Sequence, residues 1–358
     1  MKIAINTGGG DAPGLNAVIR AATKAALNRG WEVLGLRNGY ASLYTDKPAT
    51  PLTPDSVRGI TMQGGTILGA ANRGNPFEFP VLQADGSYTY EDRSDVVVSK
   101  LAELGVEAVV AIGGDGSMHL AHRLSEKGLK IVGVPKTIDN DLVGCDTTLG
   151  FDTACTIATE AIDRITTTAE SHQRAMIVEV MGRYAGWIAL HAGLASSADV
   201  ILIPEIPFTL ESVFKKLEQL KKQGKEHAVI VVAEGAQLKE GGHFIKGKQV
   251  GQAELLGGAA AFLEKEIMSQ TGQETRSVIL GHQQRGGRPS TYDRLISLRF
   301  GAEAIRAIEE GDFNKLVVMK ENQLRRIPIA DVAGKFKTVP TDSDTIMTAR
   351  DLGICLGD

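Results

Sequence analysis

Seven short apolar runs dominate this chain: KIAIN (2–6), EAVVAIG (107–113), KIVGVP (130–135), RAMIVEVMG (174–182), DVILIP (199–204), HAVIVVAEG (227–235) and RSVILGH (276–282). None alternates apolar with polar residues, so each suits a parallel strand buried on both faces. Helical stretches lie between them: LNAVIRAATKAALNRG (15–30), SDVVVSKLAELG (94–105), DTACTIATEAIDRITTTAESH (152–172) and LESVFKKLEQLKKQG (210–224). Strand–helix alternation on this scale gives an α/β fold with mainly parallel sheets. A length of 358 residues suggests two domains, each with its own core. Around the lysine-rich run 215–225, Phe214, Leu217 and Leu220 recur at helical spacing, so the lysines read as a solvated face. ADGSYTYEDRSD (84–95) reads as a surface hairpin or loop.

Charge narrows the partners. The formal net charge is −4 and the basic residues are scattered, which argues against nucleic acid or an anionic membrane and favours small anionic ligands. No apolar run approaches the ~18–20 residues of a membrane span. The chain opens directly on a strand, with no signal peptide pattern. Its three cysteines (Cys145, Cys155, Cys355) form no CxxC pair and read as free thiols of a reducing compartment, so a cytoplasmic protein is expected.

Ligands of such folds bind beyond the carboxyl ends of the strands, and the polar clusters fall there. NTGGGDAPGLNAVIR (6–20) places Gly8, Gly9 and Gly10 between a strand and a helix, as an anion cradle or a tight turn would. Its glycines miss the dinucleotide spacing, and no GxxxxGK[ST] is present. IGGDGS (112–117) sets Asp115 among glycines, where a carboxylate suits Mg²⁺ carried by phosphates, or else a helix N-cap. TIDND (137–141) holds Asp139 and Asp141 two apart, as a catalytic pair or a surface turn. Arg174 and Arg183 flank one strand. Arg276, His282, Arg285 and Arg288 follow another. Arginines beside glycines bind phosphate oxygens in two-pronged fashion. Glu234 ends a further strand and could accept bonds from sugar hydroxyls. With no Ser/His or Cys/His nucleophile pair, the inventory describes phosphoryl transfer between small phosphorylated molecules.

GGDGS, TIDND, SHQR…VEVMGRYAG and ETR…LGHQQRGG, in that order, resemble the 6-phosphofructokinase family along nearly the whole chain. The resemblance implies two Rossmann-like three-layer domains with the active cleft between them: 1–150 plus roughly 283–335 for the phosphoryl donor, and 151–282 plus the C-terminal segment for the sugar. It implies transfer from ATP to the C1 hydroxyl of fructose 6-phosphate with Mg²⁺. Asp139 matches the catalytic base, with Thr137 and Asp141 arranging the transferring group. Asp115 matches the Mg²⁺-associated acid, and Gly10, Gly116 and Ser117 the donor loops. Arg183 matches the arginine that steadies the transition state, beside Met181 and Gly182 in the sugar pocket. Glu234, His282 and Arg285 match sugar-phosphate ligands. Arg174 and Arg276 match arginines reaching in from a neighbouring subunit, which implies a homo-oligomer, a tetramer favoured over a dimer.

Three departures qualify the match. Lys136 is usual in pyrophosphate-dependent members, whereas Gly116 stands where those members carry an acid. LGAANRGNPF (68–77) has Asn72 then Arg73 where the bacterial ATP type has its arginine at the Asn72 position. In the effector pocket Arg20 and Lys225 match and Lys24 substitutes, but Thr166 and Gln223 replace cations, so control by ADP or phosphoenolpyruvate is expected to be weak. The alternatives are a pyrophosphate-dependent enzyme and, more distantly, a non-catalytic sugar-phosphate-binding subunit, although the latter should have lost Asp139 or Asp115. A lipid or nicotinamide-dinucleotide kinase shares GGDG but lacks TIDND and QRGG. The last forty or so residues carry no readable motif.

Overall fold

The computed structural model describes residues 1–45, 48–70, 75–247 and 255–358. They form two compact units. One comprises Met1–Ile138, Leu142–Asp152 and Arg285–Phe336; the other Asp139–Asp141, Thr153–Gln284 and Lys337–Asp358. The chain thus joins the second unit for a single short excursion at Asp139–Asp141 before returning to the first.

The first unit is built on a seven-stranded sheet in the order Gln323–Pro328, Lys315–Lys320, Ile131–Pro135, Ala108–Gly113, Lys2–Thr7, Glu32–Leu36, Thr50–Pro51. The five inner strands are parallel and both edge strands antiparallel. Ala108–Gly113 and Ile131–Pro135 are buried along their whole length, as expected of non-alternating apolar strands. Helix Asp115–Glu126 buries Met118, Ala121 and Leu124, one stripe at helical spacing. A side chain at Gly133 would lie 2.7 Å from the Met118 sulfur, so the glycine lets the helix rest on the sheet. Helices Leu15–Leu27 and Thr291–Glu309 pack together at Gly301, where an added methyl would lie 2.6 Å from the Val18 carbonyl. The segment expected as a hairpin or loop includes the second strand of a hairpin, Phe79–Leu82 against Tyr88–Glu91.

The second unit has a four-stranded, all-parallel sheet in the order Thr275–Ile279, Ala175–Val180, Ala228–Ala233, Val200–Leu202. Its core gathers Phe208, Leu217, Leu220, Ile230 and Leu263. Burying a side chain such as Phe208 contributes roughly 1.5–3 kcal/mol. Helix Leu210–Lys222 starts on a Thr209 cap that accepts from the Ser212 N–H at 3.2 Å. It buries Val213, Leu217 and Leu220 and turns most of its lysines to solvent.

The motif-free C-terminal segment is integral to this unit. Cys355 bridges Val200 in parallel, and the Thr209 N–H and Ser212 hydroxyl both donate to the Gly357 carbonyl (2.9 and 2.6 Å). Leu356 is buried, so the segment covers the Val200–Leu202 edge that would otherwise present unpaired backbone. Among the described residues, no helix is long and apolar enough to cross a membrane.

Candidate active site

In the first unit the glycine loops meet around Ser117. The Gly8 N–H donates to the Ile112 carbonyl at 2.9 Å, which holds the first loop against the end of the neighbouring strand. A Cβ on Gly8 would stand 2.5 Å from the Ser117 hydroxyl, and one on Gly113 would collide with the same side chain. These two glycines therefore make room for Ser117. Gly116 differs: it is exposed, and a Cβ there would meet no described atom within 4 Å. Among the described residues, no contact demands a glycine at this position, in the first turn of helix Asp115–Glu126, where backbone N–H groups lack helical partners.

Asp115 does not cap its own helix. The N-cap is Gly114, with no side-chain cap bond, and the Asp115 carboxylate accepts the Gly334 N–H at 2.9 Å. Lys136 is only 3% exposed, and its ammonium donates to the Gly10 carbonyl at 2.5 Å. Arg285 donates to the Asp11 carbonyl at 3.1 Å, and Arg288 is exposed beside Met62. Asn72 and Arg73 lie outside the described residues.

One residue here escaped the sequence reading. Asn16 is buried, and its amide donates to the Gln63 and Gly64 carbonyls (3.3 and 3.1 Å) while accepting the Ile67 N–H at 2.8 Å. It fixes the segment leading to 68–77. Its only sequence signal is a polar residue on the buried face of an apolar helix.

Thr137 closes the first-unit side of the TIDND stretch, its carbonyl accepting the Thr148 hydroxyl at 2.6 Å. Asn140 follows in a left-handed conformation (φ 52) and is buried, so Asp139 and Asp141 flank a tight turn, each half-buried. Asparagine tolerates that region better than most residues. The Asp141 carbonyl accepts the Lys337 N–H at 2.7 Å.

The second unit sets Met181, Gly182 and Arg183 directly after strand Ala175–Val180. Gly182 has φ 139, a conformation L side chains avoid. Gly235 donates to the Gly182 carbonyl at 3.0 Å, and a Cβ on Gly235 would collide with the Arg183 carbonyl. The Glu234 N–H donates to the Val180 carbonyl at 2.9 Å, which sets the residue beside the same loop. Gln284, fully buried and not singled out from sequence, accepts the Met181 N–H at 3.3 Å and donates to the Gly281 carbonyl at 3.1 Å. His282 lies exposed on the turn Gly281–Arg285. The Arg183 guanidinium sits 5.5 Å over the Tyr184 ring. Arg174 and Arg276 share one carboxylate, each 2.9 Å from Glu274.

Two acids, Glu179 buried and Glu205 half-buried, act as helix caps supplied by other segments. Glu179 accepts the Gly258 and Ala260 N–H groups at the start of helix Ala259–Thr271. Glu205 accepts the Gly186 N–H at the start of helix Trp187–Ala195, and the Val339 N–H. Burial pushes the Glu205 carboxyl up, against the pull of those donors. Of the effector-pocket positions, the Thr166 hydroxyl is bonded to the Ile162 carbonyl, and the Lys225 ammonium to Asp199 at 2.7 and 2.9 Å.

Among the described residues, no group of three or more His, Cys, Asp or Glu could cage a metal ion. Mg²⁺ uses one or two carboxylates plus substrate phosphates rather than an all-protein cage. Asp115, half-buried beside the open Gly116 position, fits such a role.

Residues 2–308 match the family profile described as phosphofructokinase. The chain is 45% identical to an ATP-dependent 6-phosphofructokinase of Chloroflexus aggregans, covering all of this chain and 98% of that one. It is 47% identical to a pyrophosphate–fructose 6-phosphate 1-phosphotransferase of Amycolatopsis methanolica, covering 96% and 97%. Its structure is similar to that of Pichia pastoris phosphofructokinase in the T-state, with a TM-score of 0.79 and 31% identity over 92% of this chain. This chain spans 35% of that larger one.

Proposed function

We propose that this chain, which belongs to the phosphofructokinase family, transfers the γ-phosphoryl group of ATP to the C1 hydroxyl of fructose 6-phosphate, giving fructose 1,6-bisphosphate and ADP. Gly116 is the observation that carries ATP as donor. An aspartate there would put a negative side chain against the α-phosphate, whereas the glycine leaves open space and helix N–H groups. Gly10, Asp115, Ser117 and Lys136 complete the donor loops, and Asn72 and Arg73 remain assigned to the donor on sequence grounds. Mg²⁺, held through Asp115 and the donor phosphates, would neutralise charge on the transferring group.

Asp139 takes the C1 hydroxyl proton as general base, and Thr137 and Asp141 arrange the group in transit. Arg183 steadies charge that develops on it. Met181, Gly182, Glu234, His282 and Arg285 hold the sugar phosphate. Arg174 and Arg276, pre-set as a pair by Glu274, serve the sugar phosphate of a neighbouring copy in a homo-oligomer, a tetramer rather than a dimer. Mixing Asp139→Ser with Arg276→Ala protein should regenerate activity in hybrid oligomers, and subunit exchange without recovery would refute shared sites. The three free cysteines support a cytoplasmic location.

Pyrophosphate as donor is the second reading, favoured by Lys136 and by the Amycolatopsis relative. Against it, the Lys136 ammonium is already engaged by the Gly10 carbonyl, which gives the lysine a role in holding the loop. Purified protein assayed with fructose 6-phosphate and Mg²⁺, separately with ATP and with pyrophosphate, decides the matter. Turnover with pyrophosphate at or above that with ATP would overturn the assignment.

A further inference from the structure

We infer that Glu205 is a positioning residue for the phosphoryl transfer, its carboxylate and residues 337–339 locking the Arg183 loop to the Asp139–Asp141 turn. The inference rests on the function proposed above.

The contacts form a closed ring inside the second unit. The Asp141 carbonyl accepts the Lys337 N–H at 2.7 Å. The Lys337 carbonyl accepts the Trp187 indole N–H at 3.1 Å, and the Lys337 ammonium lies 5.1 Å over that ring. Next to Trp187, the Gly186 N–H donates to both Glu205 oxygens at 3.0 and 3.1 Å. Glu205 then accepts the Val339 N–H at 2.8 Å, which returns the ring to the segment carrying Lys337. Gly186 allows this closeness, since a Cβ there would stand 2.9 Å from a Glu205 oxygen.

Arg183 lies three residues before Gly186, and Asp139 two before Asp141. The two groups whose placement the reaction needs most are therefore joined through one carboxylate and a tail segment that bears no recognisable motif. Helix Trp187–Ala195 has no side-chain cap of its own, so Glu205 also supplies the negative group its start favours. Within the ring, Glu205 supplies the side-chain acceptor for the Gly186 and Val339 N–H groups. Leucine in its place leaves those two donors facing a hydrocarbon, while glutamine keeps an oxygen that both can reach.

The test compares Glu205→Leu, Glu205→Gln and Trp187→Phe in the full chain. Glu205→Leu should lower kcat by about 100-fold, the scale of a 1 Å misplacement at a reacting centre. KM for ATP should not move, because the donor loops lie in the other unit. Glu205→Gln should recover most of the lost turnover. Trp187→Phe removes one bond of the ring while keeping an aromatic side chain. It should lower kcat in the same direction, and it carries the test if the leucine variant does not fold. Amide exchange should also quicken at 139–142 and 183–187 in both disruptive variants. Wild-type kcat in the disruptive variants, a KM rise for both substrates at constant kcat, or unchanged exchange would overturn the inference. If the wild-type enzyme itself does not phosphorylate fructose 6-phosphate, the proposed function fails, and the exchange measurement still decides whether Glu205 ties the two loops.

Discussion

The glycine loops of the two units look alike in sequence and differ in what the glycines are for. In the second unit each is demanded by its own surroundings: Gly182 by its backbone angle, Gly186 by the Ile203 side chain and then the Glu205 carboxylate, Gly235 by the Arg183 carbonyl. In the first unit Gly8 and Gly113 answer to Ser117, but Gly116 answers to nothing among the described residues. A glycine required by its own neighbours or by a positive φ is structural, and Gly116 has neither requirement among the described residues. The second unit therefore holds a locked set of loops, and the first contains one position at which a single side chain can be added without displacing a described neighbour.

The largest effect should come from the chemistry on the locked side. Asp139→Asn should lower turnover by roughly 10²–10⁴-fold, the usual worth of a general base. Fructose 6-phosphate binding, followed by calorimetry, should survive. Near-normal turnover would remove the assignment and with it the reading of the Asp139–Asp141 turn as catalytic.

Next comes the open position. Gly116→Asp should raise KM for ATP by at least about tenfold, equivalent to ~1.4 kcal/mol, while leaving KM for fructose 6-phosphate and the unfolding midpoint unchanged. A Cβ at Gly116 meets no described atom within 4 Å, so a loss confined to ATP isolates the ligand as the thing excluded. Equal loss for both substrates would show that the loop, and not the donor, had been disturbed.

Gly235→Ala makes the opposite prediction. Its new methyl meets backbone at Arg183, which cannot swing aside, so the second unit should lose about 1–3 kcal/mol of stability. Urea unfolding followed by circular dichroism measures this. A variant as stable as the parent would mean that the loop is looser than its contacts imply, and the contrast between the units would weaken.

Much of this was legible beforehand because it depends on local pattern. The parallel strands showed as non-alternating apolar runs, and each polar cluster fell where a strand ends. What escaped was set by partners distant in sequence. Glu32–Leu36 is a short strand that runs through Gly35, whose missing side chain accommodates Leu52 and Leu68. Asn16 reaches a backbone group 47 residues away, and Gln284 and Glu205 each reach one more than 100 away (103 and 134). No residue type or spacing marks such a role. The C-terminal segment was silent for the same reason, since its use is to supply backbone to a sheet edge and to the Glu205 ring. The Asp115 capping alternative failed because a backbone N–H at Gly334, far along the chain, engages the carboxylate instead.

The smallest expected effect concerns how firmly that segment closes the second unit. Arg350 makes a two-pronged pair with Asp358, one bond at 3.0 Å, across the end of helix Asp344–Asp351. The Arg350 bond holds the Asp358 carboxyl below the usual carboxylate range, with burial opposing it. A carboxyl whose pKa is depressed by folding stabilises the folded state above its unfolded pKa of about 3.9 and loses that contribution as pH falls through the lower, folded value. Both side chains are nearly half exposed (45% and 44%), so solvent and salt screen the pair and its worth is about 0.2–1 kcal/mol. Arg350→Ala should therefore cost at most that at pH 7, and the cost should shrink in acid below pH ~4 and in high salt. Urea midpoints of parent and variant across pH 3–7 measure it. A difference that persisted undiminished in acid would mean that Arg350 acts by packing its aliphatic stem, and that the segment is held by its apolar residues, Ile354 and Leu356, without help from charge.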